Sequence, residues 1–182
     1  MRKMRKVLLV IERWCIRKLA YINVDVYMTC YTKHLRKVGI NIEGTPKFIH
    51  PDTYFDGSDY SRISIGDNVT ISVGVMLLTH DYSITTACAS LGRAIARHEG
   101  ELYLSQGVSL GRNCFIGART TILPGATIGD NVIVGACSVV KGHIPDGSVA
   151  VGNPCRAIAD TRAWAERKLE SKDLRVEDAR LA

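Results

Sequence analysis

The feature that most constrains this chain is a six-residue period. From Leu104 onward, an aliphatic residue recurs at every sixth position. This period matches neither the alternation of a two-sided strand nor the turn of about 3.6 residues in a helix. It suits a unit of one short strand and one corner, three of which close a triangular coil. The aliphatic positions are Leu104, Leu110, Ile116, Ile122, Ile128, Val134 and Val140.

Two further patterns accompany the period. Glycine directly follows the aliphatic residue at Gly111, Gly117, Gly129 and Gly135. Four places after each aliphatic residue stands a small or β-branched residue: Cys114, Thr120, Ala126, Val132 and Ser138. We expect the aliphatic and small residues to point inward, and the glycines to give the corners backbone freedom. The sequence therefore predicts an all-β solenoid whose core runs as a column from coil to coil.

The same period appears earlier, at Ile65, Ile71 and Leu77. Leu77 and Leu104 are 27 residues apart, which is not a multiple of six, so we expect a loop excursion over about 83–103. Amphipathic helices are expected within 5–37, and another helix over 160–169 with Asp160 or Thr161 as its N-cap. These signals divide the chain into a basic helical segment (1–39), a β-helix domain (40–158) and a C-terminal helix and tail (159–182).

The positive charge is concentrated near the N-terminus. Residues 1–37 carry ten lysines and arginines against Glu12 and Asp25, an excess of eight charges, whereas the whole chain has a net charge of +6. Such a segment can contact a membrane surface or form a solvated helix face, and both readings stay open. The longest apolar run there, 7–11, is far shorter than the roughly twenty residues of a membrane span. We expect a cytoplasmic protein, with contact at the inner face of the membrane as an open possibility, and no nucleic-acid partner.

Several segments resemble the hexapeptide-repeat O-acetyltransferases, which include maltose, galactoside, capsule and lipopolysaccharide acetyltransferases. The segments are 65–69 (IGDNV), 116–118 (IGA), 124–131 (PGATIGDN) and 151–156 (VGNPCR), and 78–83 (LTHDYS) is most similar to the capsule and lipopolysaccharide branch. The resemblance covers roughly 40–158. It implies a left-handed parallel β-helix, a homotrimer, and acetyl-coenzyme A bound in a groove between subunits.

The resemblance also assigns residues. His80 matches the catalytic histidine of the family. Ala118 and Ala136, one coil apart, match positions that meet the pantetheine arm of the cofactor, and Lys141 and Arg156 match positions near its adenosine phosphates. Phe115 stands where many sugar acetyltransferases have a tryptophan that contacts the acceptor.

Acyl transfer to a hydroxyl needs a base, a bound acceptor and an oxyanion donor. His80 is the natural base, since a neutral imidazole accepts protons near neutral pH. The backbone N–H groups near Gly117 and Ala118 are candidate oxyanion donors, so Gly117 is a further predicted contact of the cofactor. Asp81 and Tyr82 are candidates for contact with the acceptor, as are Asp56 and Asp59, for which turn formation is the alternative. A zinc site needs a close histidine pair, which His80, His98 and His143 do not offer, so no metal is predicted.

The sequence thus predicts an acyltransferase that moves an acetyl group from acetyl-coenzyme A to a hydroxyl of a carbohydrate, a polysaccharide or its precursor. His80 acts as general base in a direct transfer, because no nucleophile is paired with it in the sequence. Two alternatives stay open. One is acetylation of a small acceptor such as a free sugar, serine or an antibiotic; the other is a non-catalytic β-helix scaffold.

Overall fold

The computed structural model describes residues 2–57, 59–93, 95 and 100–175. Its helices are α1 (Arg2–Leu19), α2 (Val24–Val38), α3 (Ser83–Ser90) and α4 (Thr161–Leu169), with a 3-10 turn at Tyr60–Arg62. The side chain of Asn23 caps α2 by accepting a hydrogen bond from the Val26 amide, and Gly39 ends the helix in a left-handed conformation. The predicted helices at both ends of the chain are confirmed.

The strands are short, and most contain two residues. They are β1 (Asn41–Ile42), β2 (Phe48–Ile49), β3 (Tyr54–Phe55), β4 (Ile63–Ile65), β5 (Thr70–Ile71), β6 (Met76–Leu77), β7 (His80–Asp81), β8 (Leu104–Ser105), β9 (Val108–Leu110), β10 (Phe115–Ile116), β11 (Thr121–Ile122), β12 (Thr127–Ile128), β13 (Ile133–Val134), β14 (Val139–Val140), β15 (His143–Ile144), β16 (Ser148–Val151) and β17 (Arg156–Asp160).

The chain visits three parallel sheets in turn. The first sheet has the order β1-β4-β9-β12-β15, the second contains β2-β5-β10-β13-β16, and the third has the order β3-β6-β11-β14. Strands in neighbouring regular coils pair at an interval of eighteen residues, as Thr121 does with Val139. This arrangement confirms the predicted three-sided parallel column. The left-handed winding of the column stays a prediction.

The interior of the column follows the six-residue period. The aliphatic positions of the regular coils are buried, and so are the small residues from Cys114 to Ser138. Leu104 is the exception, because 53% of it is exposed and it lies in β8, which pairs antiparallel with β7. Its place in the six-residue series was therefore a wrong prediction. The repeat resumes in β9, with Leu110 as the first buried aliphatic residue of the period.

The glycines serve a purpose other than the predicted one. A Cβ added to Gly111 would lie 2.5 Å from the carbonyl oxygen of Gly129, so glycine is needed because the coils stack closely. The left-handed conformation falls two residues after these glycines, at Arg119 and Cys137 and at the three asparagines Asn68, Asn113 and Asn131, whose φ angles are 54°, 56° and 58°. Asparagine tolerates this conformation well. Their side chains also form a ladder, with hydrogen bonds of 2.8 Å and 2.7 Å between successive coils.

The excursion begins and ends at one antiparallel pair of strands. His80 in β7 pairs with Ser105 in β8, and α3 lies between them. The sequence predicted a loop over about 83–103, and the structure replaces part of it with α3, which has eight residues. Residues 94 and 96–99, among them His98, lie outside the described residues. Beneath the excursion, β5 pairs directly with β10, so the column continues without a gap.

Helices lie at the two ends of the column. Tyr27 of α2 is fully buried, and its hydroxyl donates a 2.7 Å hydrogen bond to the carbonyl of Ile49 in the first coil. At the other end, β17 pairs antiparallel with β16 and leads into α4. Asp160 is the N-cap of α4 and accepts a hydrogen bond from the Ala163 amide. The buried residues of α2 thus cover the open end of the first coil, whereas α4 has no buried residue of its own.

Candidate active site

His80 lies where the chain leaves the column. The strand β6 ends the third side of the second coil at Leu77, and β7 then begins at His80. The imidazole is partly buried, with 19% of the side chain exposed. Its Nδ1 atom is buried, so the exposed part of the ring belongs to the other atoms. A partly buried imidazole at the point where the repeat is interrupted is positioned to meet a bound molecule.

Asp56 is the nearest charged group to this imidazole. It follows β3, which pairs with β6, so it lies one coil away from His80. Its Oδ2 atom is 2.5 Å from His80 Nδ1, a hydrogen-bond distance without the linear geometry of a hydrogen bond. The same oxygen accepts a 2.9 Å hydrogen bond from the backbone N–H of Thr79. These contacts hold the carboxylate against one side of the imidazole.

The position of Asp56 differs from the expected one. The sequence proposed acceptor binding or a turn, whereas the structure buries the residue to 4% exposure beside His80. A carboxylate in this place can fix the ring orientation and stabilise the imidazolium form. Sequence reasoning missed this pairing. No sequence signal could have found it, because Phe55 and Leu77, which are opposite each other in neighbouring coils, are 22 residues apart and this interval is not a multiple of six.

Two tyrosines flank the imidazole. The ring centroid of Tyr82 lies 4.9 Å from that of His80 in an edge-to-face arrangement, and the centroid of Tyr103 lies 6.0 Å away. The two tyrosine rings are 5.2 Å apart, and both side chains are substantially exposed. Tyr82 was a predicted wall of the acceptor pocket. Tyr103 was not predicted, and it reaches the site because the excursion folds back through β8.

The other predicted aspartates make local contacts. Asp81 accepts a 2.8 Å hydrogen bond from the Ser83 amide at the start of α3, and this bond holds the pKa of Asp81 below its usual value. Asp59 accepts hydrogen bonds from both the hydroxyl and the amide of Ser61, of which the hydroxyl bond does most to lower the pKa of Asp59. Both carboxylates are exposed. Their observed contacts are those of turn residues, and acceptor contact by Asp81 stays a prediction.

The predicted cofactor positions lie at a different corner. Gly117 and Ala118 precede β11, whereas His80 follows β6, the neighbour of β11 in the third sheet. The predicted cofactor positions therefore lie where the strands of this sheet begin, and His80 lies where they end. The Cys137 amide donates to the Ala118 carbonyl at 2.8 Å, so the corners at Ala118 and Ala136 are stacked. A Cβ on Gly117 would lie 2.4 Å from the Ala136 nitrogen, which explains glycine there by packing.

The other residues predicted to contact the cofactor or the acceptor also lie away from His80. Phe115 is exposed on the second sheet, Lys141 is exposed after β14, and Arg156 is exposed at the start of β17. Arg156 donates a hydrogen bond to the neighbouring Cys155 carbonyl. Within one chain, Phe115 and Ala118 therefore do not lie at the corner of the column where His80 stands. Among the described residues, no group of three histidine, cysteine or carboxylate side chains is placed to hold a metal ion.

Comparisons with known proteins agree with this architecture. Residues 107–142 match the family described as "Bacterial transferase hexapeptide (six repeats)". The chain is 35% identical over 139 residues to Protein CapG of Staphylococcus aureus, covering 76% of each protein. It is 36% identical over 121 residues to galactoside O-acetyltransferase of Escherichia coli K12, covering 66% of this chain and 54% of that protein. The chain therefore spans about half the length of that second relative.

A solved structure is similar over nearly the whole chain. The structure of a galactoside acetyltransferase in complex with coenzyme A has a TM-score of 0.58 and 26% identity, covering 93% of this chain and 90% of that chain. The six-residue repeat wound over three parallel sheets, together with these similarities, defines a class of transferases. This chain belongs to that class, the hexapeptide-repeat acetyltransferase family.

Proposed function

We propose that this chain is an acetyl-coenzyme A-dependent O-acetyltransferase that acts on a hydroxyl of a carbohydrate. The observation that carries the proposal is the partly buried His80, held against the buried carboxylate of Asp56 at the edge of the column. Membership in the acetyltransferase family supports the cofactor. The printed name of a relative, galactoside O-acetyltransferase, supports a sugar acceptor. We place the reaction in the cytoplasm.

The residues support a direct transfer. The Nε2 atom of His80 takes the proton of the acceptor hydroxyl while the hydroxyl oxygen attacks the carbonyl carbon of the thioester. The carbon–sulfur bond then breaks, the acetyl group stays on the acceptor, and the imidazolium returns the proton to the departing thiolate. Asp56 is a positioning residue in this scheme, because it orients the ring and stabilises the imidazolium. No covalent acyl-enzyme is required.

A trimer completes the site in this proposal. In one chain, His80 lies where the strands of the third sheet end, and the predicted cofactor positions Ala118 and Ala136 lie where they begin. A neighbouring left-handed column that packs against the corner at His80 would bring its own Ala118 corner to this histidine. Coenzyme A would then lie in the groove between the two chains. Its pantetheine arm would follow Gly117 and the two alanines, and its phosphates would lie near Lys141 and Arg156.

The aromatic residues support a carbohydrate as the acceptor. Tyr82 and Tyr103 present adjacent, exposed rings beside His80, and such rings pack on the apolar face of a sugar while its hydroxyls stay hydrated. Phe115 of a neighbouring chain would form the opposite wall. We assign the acceptor to the sugars of a surface polysaccharide or its precursor.

The test is the variant His80→Ala, assayed for thiol release from acetyl-coenzyme A with a panel of sugars. We expect turnover to fall about 10²–10⁴-fold, while coenzyme A binding by calorimetry is retained. The matched control is His143→Ala, an exposed histidine that contacts Thr127 in the column, which should keep its turnover. Near-full activity of His80→Ala would remove the mechanism. Absence of coenzyme A binding in the unaltered protein would favour the scaffold alternative.

A further inference from the structure

The first helix presents an apolar face to solvent. Six large apolar side chains on α1, Val10 among them, are each between 53% and 69% exposed, and the spacing of three or four residues places the other five on one face. No described part of the chain covers this face. We call it the α1 stripe, and it consists of Met4, Val7, Leu8, Ile11 and Trp14.

The opposite face of α1 fixes the direction of the stripe. Ile16 is buried there, and Arg13 donates a 3.2 Å hydrogen bond to the carbonyl of Thr53 in the first coil. Arg17 forms an ion pair with Asp52 of the same coil. Arg13 and Arg17 thus face the protein, while the α1 stripe faces solvent. A helix on the surface of a soluble domain has the reverse arrangement, so the α1 stripe indicates a partner.

The charge of the segment identifies that partner. Residues 1–37 carry an excess of eight positive charges, so joining two copies through the α1 stripe would bring two strongly cationic segments together. A bilayer with anionic lipids offers an apolar layer for the stripe and opposite charges for the lysines and arginines of residues 1–37. Trp14 suits the interface, and the Lys18 ammonium lies 5.4 Å from its ring centroid.

We propose that α1 lies flat on the surface of a membrane containing anionic lipid, with the α1 stripe inserted between the headgroups. None of the described helices is long and apolar enough to cross a bilayer, which agrees with attachment to one face. The ion pair and hydrogen bonds of α1 to the first coil would hold the column beside the membrane. This attachment does not depend on the proposed acetyl transfer.

The experiment is cosedimentation of the full-length protein with vesicles. One set contains phosphatidylglycerol and phosphatidylcholine in equal parts, and the other contains phosphatidylcholine alone. The test variant is Ile11→Gln with Trp14→Gln. The matched control is Leu169→Gln, because Leu169 at the end of α4 is 69% exposed and lies outside the stripe. Glutamine keeps a high helix propensity in each position. A second test variant, Met4→Gln with Val7→Gln, repeats the experiment at the start of the stripe.

We expect the unaltered protein and Leu169→Gln to sediment with the anionic vesicles, less so as salt is added. Each double variant should bind at least about tenfold more weakly, because two apolar side chains no longer leave water. Turnover with a soluble acceptor should be unchanged, which separates this result from a failure of the proposed function. Vesicle binding that is absent, or equal in all variants, would overturn the proposal. So would a stripe variant that changes only the oligomeric state in light scattering.

Discussion

The regular coils and the excursion follow different physical rules. In the coils from β9 to β15, each residue position is fixed by the copy one coil away, through buried aliphatic residues, close glycine contacts and the asparagine ladder. The excursion from His80 to Ser105 has no such copy, and its helix α3 has no buried residue. Contacts between repeated positions therefore stabilise the column, while the proposed chemistry lies where the repetition stops.

The largest expected effect concerns the column. Ile116→Ala should lower the free energy of unfolding by about 2–5 kcal/mol, because Ile116 is fully buried between coils. Leu104→Ala is the matched control, since Leu104 occupies the same six-residue series but is exposed in the excursion. That change should stay within about 0.5 kcal/mol. Denaturant unfolding measures both, and equal losses would contradict the distinction between the two regions.

The second effect concerns Asp56, which lies beside His80 where the excursion begins. Asp56→Asn should lower kcat by about a hundredfold or more, because the amide no longer stabilises the imidazolium of His80. The Km for acetyl-coenzyme A should change little, since Asp56 contacts His80 and Thr79 and lies away from the predicted cofactor corner. Steady-state kinetics with a melting curve for each protein provides the measurement. A higher Km at unchanged kcat would show that Asp56 does not act through His80.

A third effect compares two glycines. Gly111→Ala should cost about 1–3 kcal/mol of stability, because the added Cβ would lie 2.5 Å from the Gly129 carbonyl oxygen and the coils must move apart. Gly92 in the excursion has a left-handed φ of 70° and open space around an added Cβ. Gly92→Ala should therefore cost only about 1 kcal/mol, from backbone strain. If Gly92→Ala were the more damaging change in thermal unfolding, stacking would not be the reason for glycine in the column.

The smallest effect concerns acceptor binding in the excursion. Tyr103→Ala should raise the Km for a sugar acceptor by roughly 3–10-fold, the loss of one aromatic contact. The Km for acetyl-coenzyme A and the melting temperature should stay as they are, because Tyr103 is exposed and packs on Tyr82 and His80 alone among the aromatic side chains of the described residues. Tyr103→Phe serves as the control, and it should behave like the unaltered enzyme if stacking carries the contact.

The sequence predicted the column well because its signal repeats. Ile116, Ile122 and Ile128 confirm one another, so a single misleading residue such as Leu104 did not hide the period. The purpose of the glycines was predicted wrongly, since the distance between coils does not appear in a sequence. At the corners that follow Gly111, Gly117, Gly129 and Gly135, the left-handed residue, such as Asn113, stands two positions after the glycine.

The candidate site was harder to predict than the column. His80 stood out through its resemblance to a family motif, but its contact with Asp56 did not. The pair is separated by 24 residues because the first coil is longer than the regular coils of eighteen residues, with Phe55 opposite Leu77 at an interval of 22. Tyr103 reaches His80 only because β8 returns antiparallel to β7. A period of six contains no information about such a return.

The continuous pairing of β5 with β10 beneath the excursion has an evolutionary consequence. The 24 residues between His80 and Ser105 enter and leave at one antiparallel pair of strands, so segments of other lengths can be exchanged there without unwinding the coils. Selection can thus graft a new acceptor wall onto an unchanged scaffold. Descendants of one ancestral fold can thus vary the proposed acceptor wall while the proposed cofactor groove is inherited intact.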